Sequence, residues 1–155
     1  MKALTLKEIA AACGGKLTGP DNSENLVITD ITIDSRTAGK DSLYIPIKGQ
    51  RFDGHDFINS VFESGAVCTL TEKADINLGK PQIEVKSTAA ALQDIAAYYR
   101  SLFKNLKVIG VTGSSGKTST KEMIYSVLSE HFNVLKTEGN LNNEIGVPKT
   151  IFKIN

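Results

Sequence analysis

Apolar positions recur with two periods along the chain, and the change from one to the other predicts its elements. Thr5-Leu6-Lys7-Glu8 has the form of a capping box, in which the Thr hydroxyl and the Glu carboxylate satisfy free amides at a helix start. Ile9, Ala12 and Cys13 continue one helical face, and Gly14-Gly15 supplies a left-handed stop. The stretches Leu26–Ile33 and Ser42–Ile47 are rich in β-branched residues that alternate with polar ones, the period of a strand. Asp53–Ser64 returns to helical spacing through Phe57, Ile58, Val61 and Phe62. Val67–Leu70 and Pro81–Val85 read as two further strands. Ser87–Phe103 is the clearest amphipathic helix, because Leu92, Ile95, Ala96, Tyr99, Leu102 and Phe103 share one broad face. After it come a short apolar strand at Lys107–Val111, a glycine-rich turn, a helix over Thr118–His131 and a strand at Asn133–Lys136.

The order strand, glycine turn, helix, strand opens a doubly wound nucleotide-binding sheet. The pattern therefore predicts an α/β protein in two parts. Residues 1–85 form a small α/β unit, and 86–155 begin a second, parallel-sheet domain. About 45 residues follow Gly110, too few for such a domain at its usual size of ~100–150. The expected second sheet is thus truncated, with apolar strand and helix faces left exposed and lower stability beyond Asn105.

Composition narrows the setting. The chain has 155 residues, 41% hydrophobic and 23% charged, with a net charge of +1. So balanced a charge supplies no field to draw nucleic acid or an anionic membrane. There is no apolar run of ~18 residues, so no transmembrane helix is expected, and Lys7 and Glu8 interrupt any signal-peptide core. Cys13 and Cys68 lack metal-ligand spacing and read as small buried apolar side chains. A cytoplasmic protein is the expectation.

The chemistry concentrates in Gly110-Val-Thr-Gly113-Ser-Ser-Gly116-Lys117-Thr118-Ser119. Glycines let successive amide N–H groups turn toward phosphate oxygens at the positive end of the next helix. Gly113, Ser114, Ser115, Gly116, Lys117, Thr118 and Ser119 are the candidate ATP-binding residues. Lys117, the candidate catalytic residue, neutralises the β- and γ-phosphates, and the Thr118 hydroxyl is the candidate ligand for Mg2+. One position departs from the usual GxxxxGK[ST] spacing: Val111 stands where the first glycine is expected, with glycines at 110 and 113.

The form of Gly110–Thr120 resembles the phosphate loop of the Mur ligases and folylpolyglutamate synthetases. Three more stretches are similar to Mur ligase motifs. Asp34-Ser35-Arg36 looks like the family's N-terminal DSR element, and Ile47–Phe57 resembles its "KGxRFDGHDF" loop. Thr137–Pro148 is similar to the "GN-x-NNEIG-x-P" stretch of the branch that adds D-alanyl-D-alanine.

The resemblance implies a small N-terminal Mur ligase substrate domain followed by the start of the ATP-binding domain. It also implies an acyl-phosphate mechanism using ATP and Mg2+, and UDP-N-acetylmuramoyl-tripeptide and D-alanyl-D-alanine as substrates. A longer, monomeric enzyme is implied, with this chain alone inactive. Ser35, Arg36, Lys48, Gly49, Asp53, His55, Asn140, Asn142, Asn143 and Glu144 become candidate substrate-binding residues. Plain structural roles stand beside these. Asp34 and Asp53 are equally suited to fixing turns and caps, and the Asn-rich run to turn chemistry. Pro148 fits the first turn of a helix.

Overall fold

The computed structural model describes residues 1–50, 52–139 and 141–155. The first helix, α1 (Leu6–Cys13), begins as its sequence demands. Thr5 Oγ1 accepts the Glu8 N–H at 3.2 Å, while a Glu8 carboxylate oxygen accepts the Thr5 N–H at 2.8 Å. Such a box stabilises a helix end by about 1 kcal/mol. Gly14 closes α1 in the left-handed conformation, with φ of 60°.

The described residues hold seven short strands, of which β3 to β7 fall in the predicted strand stretches and β1 and β2 do not: β1 (Leu4–Thr5), β2 (Lys16–Thr18), β3 (Val27–Ile28), β4 (Asp30–Thr32), β5 (Ser42–Tyr44), β6 (Cys68–Thr71) and β7 (Gln82–Glu84). β1 and β3 pair as an antiparallel ribbon, while the other five form one sheet in the order β2-β7-β6-β5-β4. β4, β5, β6 and β7 run parallel, and β2 adds an antiparallel edge in which Leu17 faces Ile83. All the turns that follow the parallel strands therefore leave from one edge of the sheet.

Both faces of the sheet are covered. Leu43, Ile45, Cys68, Leu70, Ile83 and Val85 point to one side, where they meet α1 and α3 (Thr88–Ser101). Tyr44, between Leu43 and Ile45, points to the other side and packs with Val61 of α2 (Ile58–Glu63). Thus α3 contributes Leu92, Ile95, Ala96 and Tyr99, all at most 1% exposed, to the core of the first unit. Burying each of the larger side chains is worth about 1.5–3 kcal/mol.

The second half departs from its predicted pattern. Lys107–Val111 and Asn133–Lys136 form no strand. A strand is held by its neighbours, and two parallel segments without further partners gain too little from pairing to offset the lost chain entropy. The helix between them does form, as α4 (Lys117–Leu128), but it buries none of its residues fully. Val108, Ile109, Met123, Val127, Phe132 and Leu135 are exposed. Beyond this stretch α5 (Gly146–Ile151), with Pro148 in its first turn, packs onto α3 and brings Phe152 into the main core.

Candidate functional site

Two of the predicted ligand turns arise at the shared edge of the parallel strands. Asp34-Ser35-Arg36 follows β4 at one residue's distance. Asp34 Oδ1 accepts the Arg36 backbone N–H at 3.0 Å and its Nε–H at 2.9 Å, and Oδ2 accepts from the guanidinium at 2.6 Å. These bonds hold the Asp34 carboxyl down at about 2, with a further lowering from the charge of Lys149 in α5. Thr32 Oγ1 accepts the Asp34 N–H at 3.1 Å and sits 2.7 Å from the Thr37 hydroxyl. Asp34 therefore builds the turn, and the exposed Arg36 guanidinium is the group it presents. Ser35 is half-buried in the same turn.

The second turn follows β5. Lys48 bridges to Asp53 across it, and the Gly49 N–H donates to the Phe52 carbonyl at 2.9 Å. Asp53 Oδ1 accepts the His55 N–H at 3.0 Å and lies 2.6 Å from the ring Nδ1. The backbone N–H is the largest cause of Asp53's lowered pKa, with the ring contact next. Gly54 has no room for a side chain, because a Cβ there would stand 2.7 Å from the Ile47 nitrogen. The Tyr44 hydroxyl donates to the Gly54 carbonyl at 2.9 Å. Burial raises the pKa of this phenol first, and the charges of Asp34 and Asp53 add to it. Both turns thus adjoin one buried hydroxyl.

His55 Nε2 is buried with no hydrogen-bond partner among the described residues. A buried imidazole nitrogen in that condition is costly unless something answers it. Arg51 lies outside the described residues. Sequence reasoning passed over Phe52, which is 65% exposed at the tip of this turn. An exposed aromatic in a strand-edge loop was the signal available for it.

The phosphate-loop residues sit apart from that edge. Gly113, with φ of 152°, and Gly116, with φ of 75°, occupy backbone conformations that side chains resist. No side chain crowds Gly116, so conformation and not space requires the glycine there. Gly116 caps α4, and the Thr120 N–H donates back to its carbonyl at 2.9 Å to close the first turn. Among the described residues, no acceptor takes the backbone N–H groups of Gly113 to Ser119. Lys117 opens α4 and folds its ammonium back onto the Gly113 carbonyl, at the mouth of the loop. Thr118 and Ser119 are exposed in the first turn. Free amides, a helix N-terminus and a lysine converge here, the donor set that an oligophosphate needs. No hydrogen bond or ion pair among the described residues joins this loop to the two strand-edge turns.

The asparagine-rich stretch is partly consumed by structure. Asn143 Oδ1 accepts the Gly146 N–H at 2.7 Å and the Ile145 N–H at 3.3 Å, so it caps α5. Its amide nitrogen makes no hydrogen bond among the described residues. Asn142 and Glu144 are exposed beside it, and Asn140 lies outside the described residues.

These features match known proteins along the whole chain. The family model described as "Mur ligase family, catalytic domain" matches residues 27–100, and "Mur ligase middle domain" matches 111–155. The chain belongs to the Mur ligase family. Its relatives include the UDP-N-acetylmuramoyl-tripeptide–D-alanyl-D-alanine ligase of Bacillus subtilis, 43% identical over 95% of this chain and 32% of that protein. The Escherichia coli enzyme of the same name is 39% identical over 99% of this chain and 33% of its own length. A crystal structure of MurF from Acinetobacter baumannii superposes with a TM-score of 0.91 at 35% identity, covering all of this chain and 34% of that one. MurF from Thermotoga maritima in complex with ADP matches with a TM-score of 0.70 at 37% identity, over 79% of this chain and 28% of that one. This Mur ligase chain spans about a third of the length of the curated relatives it matches.

Proposed function

We propose that this chain is the front part of an ATP-dependent ligase that joins D-alanyl-D-alanine to UDP-N-acetylmuramoyl-tripeptide in peptidoglycan precursor synthesis, a cytoplasmic pathway. The observation that carries the proposal is one chain holding both halves of the chemistry. A strand-edge site presents Arg36, Lys48 and His55, and a phosphate loop heads α4. The relatives' printed names and the D-alanyl-D-alanine-type stretch at 137–148 support this choice of substrate.

In this reading the sugar nucleotide lies across the strand-edge turns. Arg36 and Lys48 face its diphosphate, since guanidinium and ammonium groups match phosphate oxygens. His55 supplies a fixed nitrogen, and Asn142, the Asn143 amide nitrogen and Glu144 contact the substrate beyond. Mg-ATP supplies the phosphoryl group that converts the substrate carboxylate to an acyl phosphate, which the D-alanyl-D-alanine amine then attacks. Lys117 leaves the Gly113 carbonyl to neutralise the transferring phosphate, and the Thr118 hydroxyl holds Mg2+. The left-handed conformations at Gly113 and Gly116 support a phosphate role for the loop amides.

The division between the two units is assigned after α3, whose apolar face completes the first core, and not at residue 85. The 155-residue chain binds ligands without turnover, because the segments at 107–111 and 133–136 form no strands to fix the phosphate loop against the first unit.

Separate calorimetric titrations with UDP-N-acetylmuramoyl-tripeptide and with Mg-ATP test this. Saturable sugar-nucleotide binding that weakens on Arg36→Ala is expected. A chain that bound Mg-ATP and ignored the sugar nucleotide would remove the substrate assignment.

A further inference from the structure

Tyr99 is fully buried, yet its hydroxyl is committed to two backbone groups that do not belong to its own neighbourhood in sequence. It accepts the Lys2 N–H at 2.7 Å and donates to the Ile154 carbonyl at 2.7 Å. Its ring meets Phe103 edge-on at 5.3 Å and Phe152 edge-on at 5.9 Å. The Lys2 ammonium lies 4.2 Å over the Phe103 ring. One phenol thus ties the strand-entry segment, α3 and the segment after α5 together.

The segment after α5 is itself linked back to α4 by polar contacts. Lys153 pairs with Glu138 at 2.9 Å, and Asn143 caps α5. Leu141 lies hard against Gly146, where a Cβ would come within 2.5 Å of the Leu141 Cα. Upstream, Lys121 Nζ donates to the Thr137 carbonyl at 2.6 Å, and Lys136 pairs with Glu122 of α4. Among the described residues, these polar contacts run from α4 through 136–145 to α5 without involving the first unit. The buried apolar contacts of this run with the first unit gather around Ile145, Ile151, Phe152 and Ile154.

The geometry points to Tyr99 as the joint that fastens the phosphate-loop half of the chain to the substrate-site half. The bond of its hydroxyl to the Ile154 carbonyl adds to the apolar contacts that dock the 141–155 segment. Removing the hydroxyl leaves the Ile154 carbonyl without its donor, a loss that falls on the docked state alone, whereas the Lys2 N–H loses its acceptor whether or not the segment is docked. The strand-edge sheet does not depend on it. The joint is independent of the ligase reading, since no nucleotide or sugar is needed to observe it.

The test is segment-resolved hydrogen exchange on the whole 155-residue chain carrying Tyr99→Phe. The informative amides are those of Val147, Phe152, Lys153 and Ile154, which donate within the docked segment. Their exchange is expected to quicken by about tenfold or more, while amides of β5, β6 and β7 keep their protection. Phe152→Ala removes the ring on the other side and is expected to release the same amides. The two changes together are expected to release little more than either alone, as residues sharing one contact do. Unchanged exchange at 147–154 in Tyr99→Phe overturns the joint, as does equal quickening across the sheet. Should Tyr99→Phe fail to fold, Phe152→Ala decides alone, on the same two readings.

Discussion

Asp53 holds His55 twice, through the backbone N–H at 3.0 Å and through the ring Nδ1 at 2.6 Å. The second bond places the donor hydrogen on Nδ1 whenever the ring is neutral, and so leaves Nε2 as a buried acceptor. An aspartate two residues before a histidine is ordinary turn chemistry. Here it fixes both the turn and the face the ring offers.

From that follows the effect of Asp53→Ala. The variant is expected to keep its fold, lower the thermal midpoint and weaken sugar-nucleotide binding by about tenfold, because the ring is no longer oriented. His55→Ala should weaken binding at least as much. Calorimetry on the two variants checks the order, and a His55→Ala chain that bound normally would exclude the ring from the site.

Asp34 makes a prediction about acid. Its folded pKa is about 2, held below the ordinary carboxylate range by the side-chain and backbone bonds from Arg36. A depressed carboxylate contributes stability that is present above its unfolded pKa of about 4 and lost as pH falls through the folded value. The Arg36 amide and Nε resonances should therefore hold their positions down to about pH 3 and move near pH 2. A carboxyl titration midpoint near 4, followed by NMR, would show that the pair does not form in solution.

Lys117 is exposed and touches only the Gly113 carbonyl among the described residues. Lys117→Ala should leave far-ultraviolet circular dichroism and the melting midpoint unchanged. Any Mg-ATP affinity should fall by about 10- to 100-fold, the range for losing a charge-assisted hydrogen bond. Equal nucleotide affinity in the variant and the parent chain would transfer the phosphate site elsewhere.

Gly146→Ala tests the packing of the asparagine-rich stretch. The added Cβ would lie 2.5 Å from the Leu141 Cα and 2.6 Å from its carbonyl carbon, both backbone atoms that cannot rotate away. The expected cost is about 1–3 kcal/mol, read by denaturant unfolding. The loss should appear as freer exchange at 141–155 before the sheet is affected. A neutral substitution would mean that the 141–146 turn is open in solution.

Local chemistry was legible along the chain. The Thr5–Glu8 box, the Gly14 stop, the apolar face of α3 and the conformations at Gly113 and Gly116 all depend on residues within a few positions of one another. The family motifs at 34–36, 47–57, 110–120 and 137–148 were legible for the same reason. Contacts between distant segments set the rest. The pairing of β2 with β7 joins residues 16–18 to 82–84, and the short strand at Lys16–Thr18 carried no periodic signal of its own. Lys107–Val111 and Asn133–Lys136 have strand composition but form no strand, since a ladder needs partners that lie far away in sequence. The periodicity of α3 announced a helix without saying which core it would enter. That was settled by the α1 face and by the two backbone groups that meet at the Tyr99 hydroxyl, one 97 residues before it and one 55 after. Periodicity records which side of an element is apolar, and only the assembled fold supplies what that side is buried against.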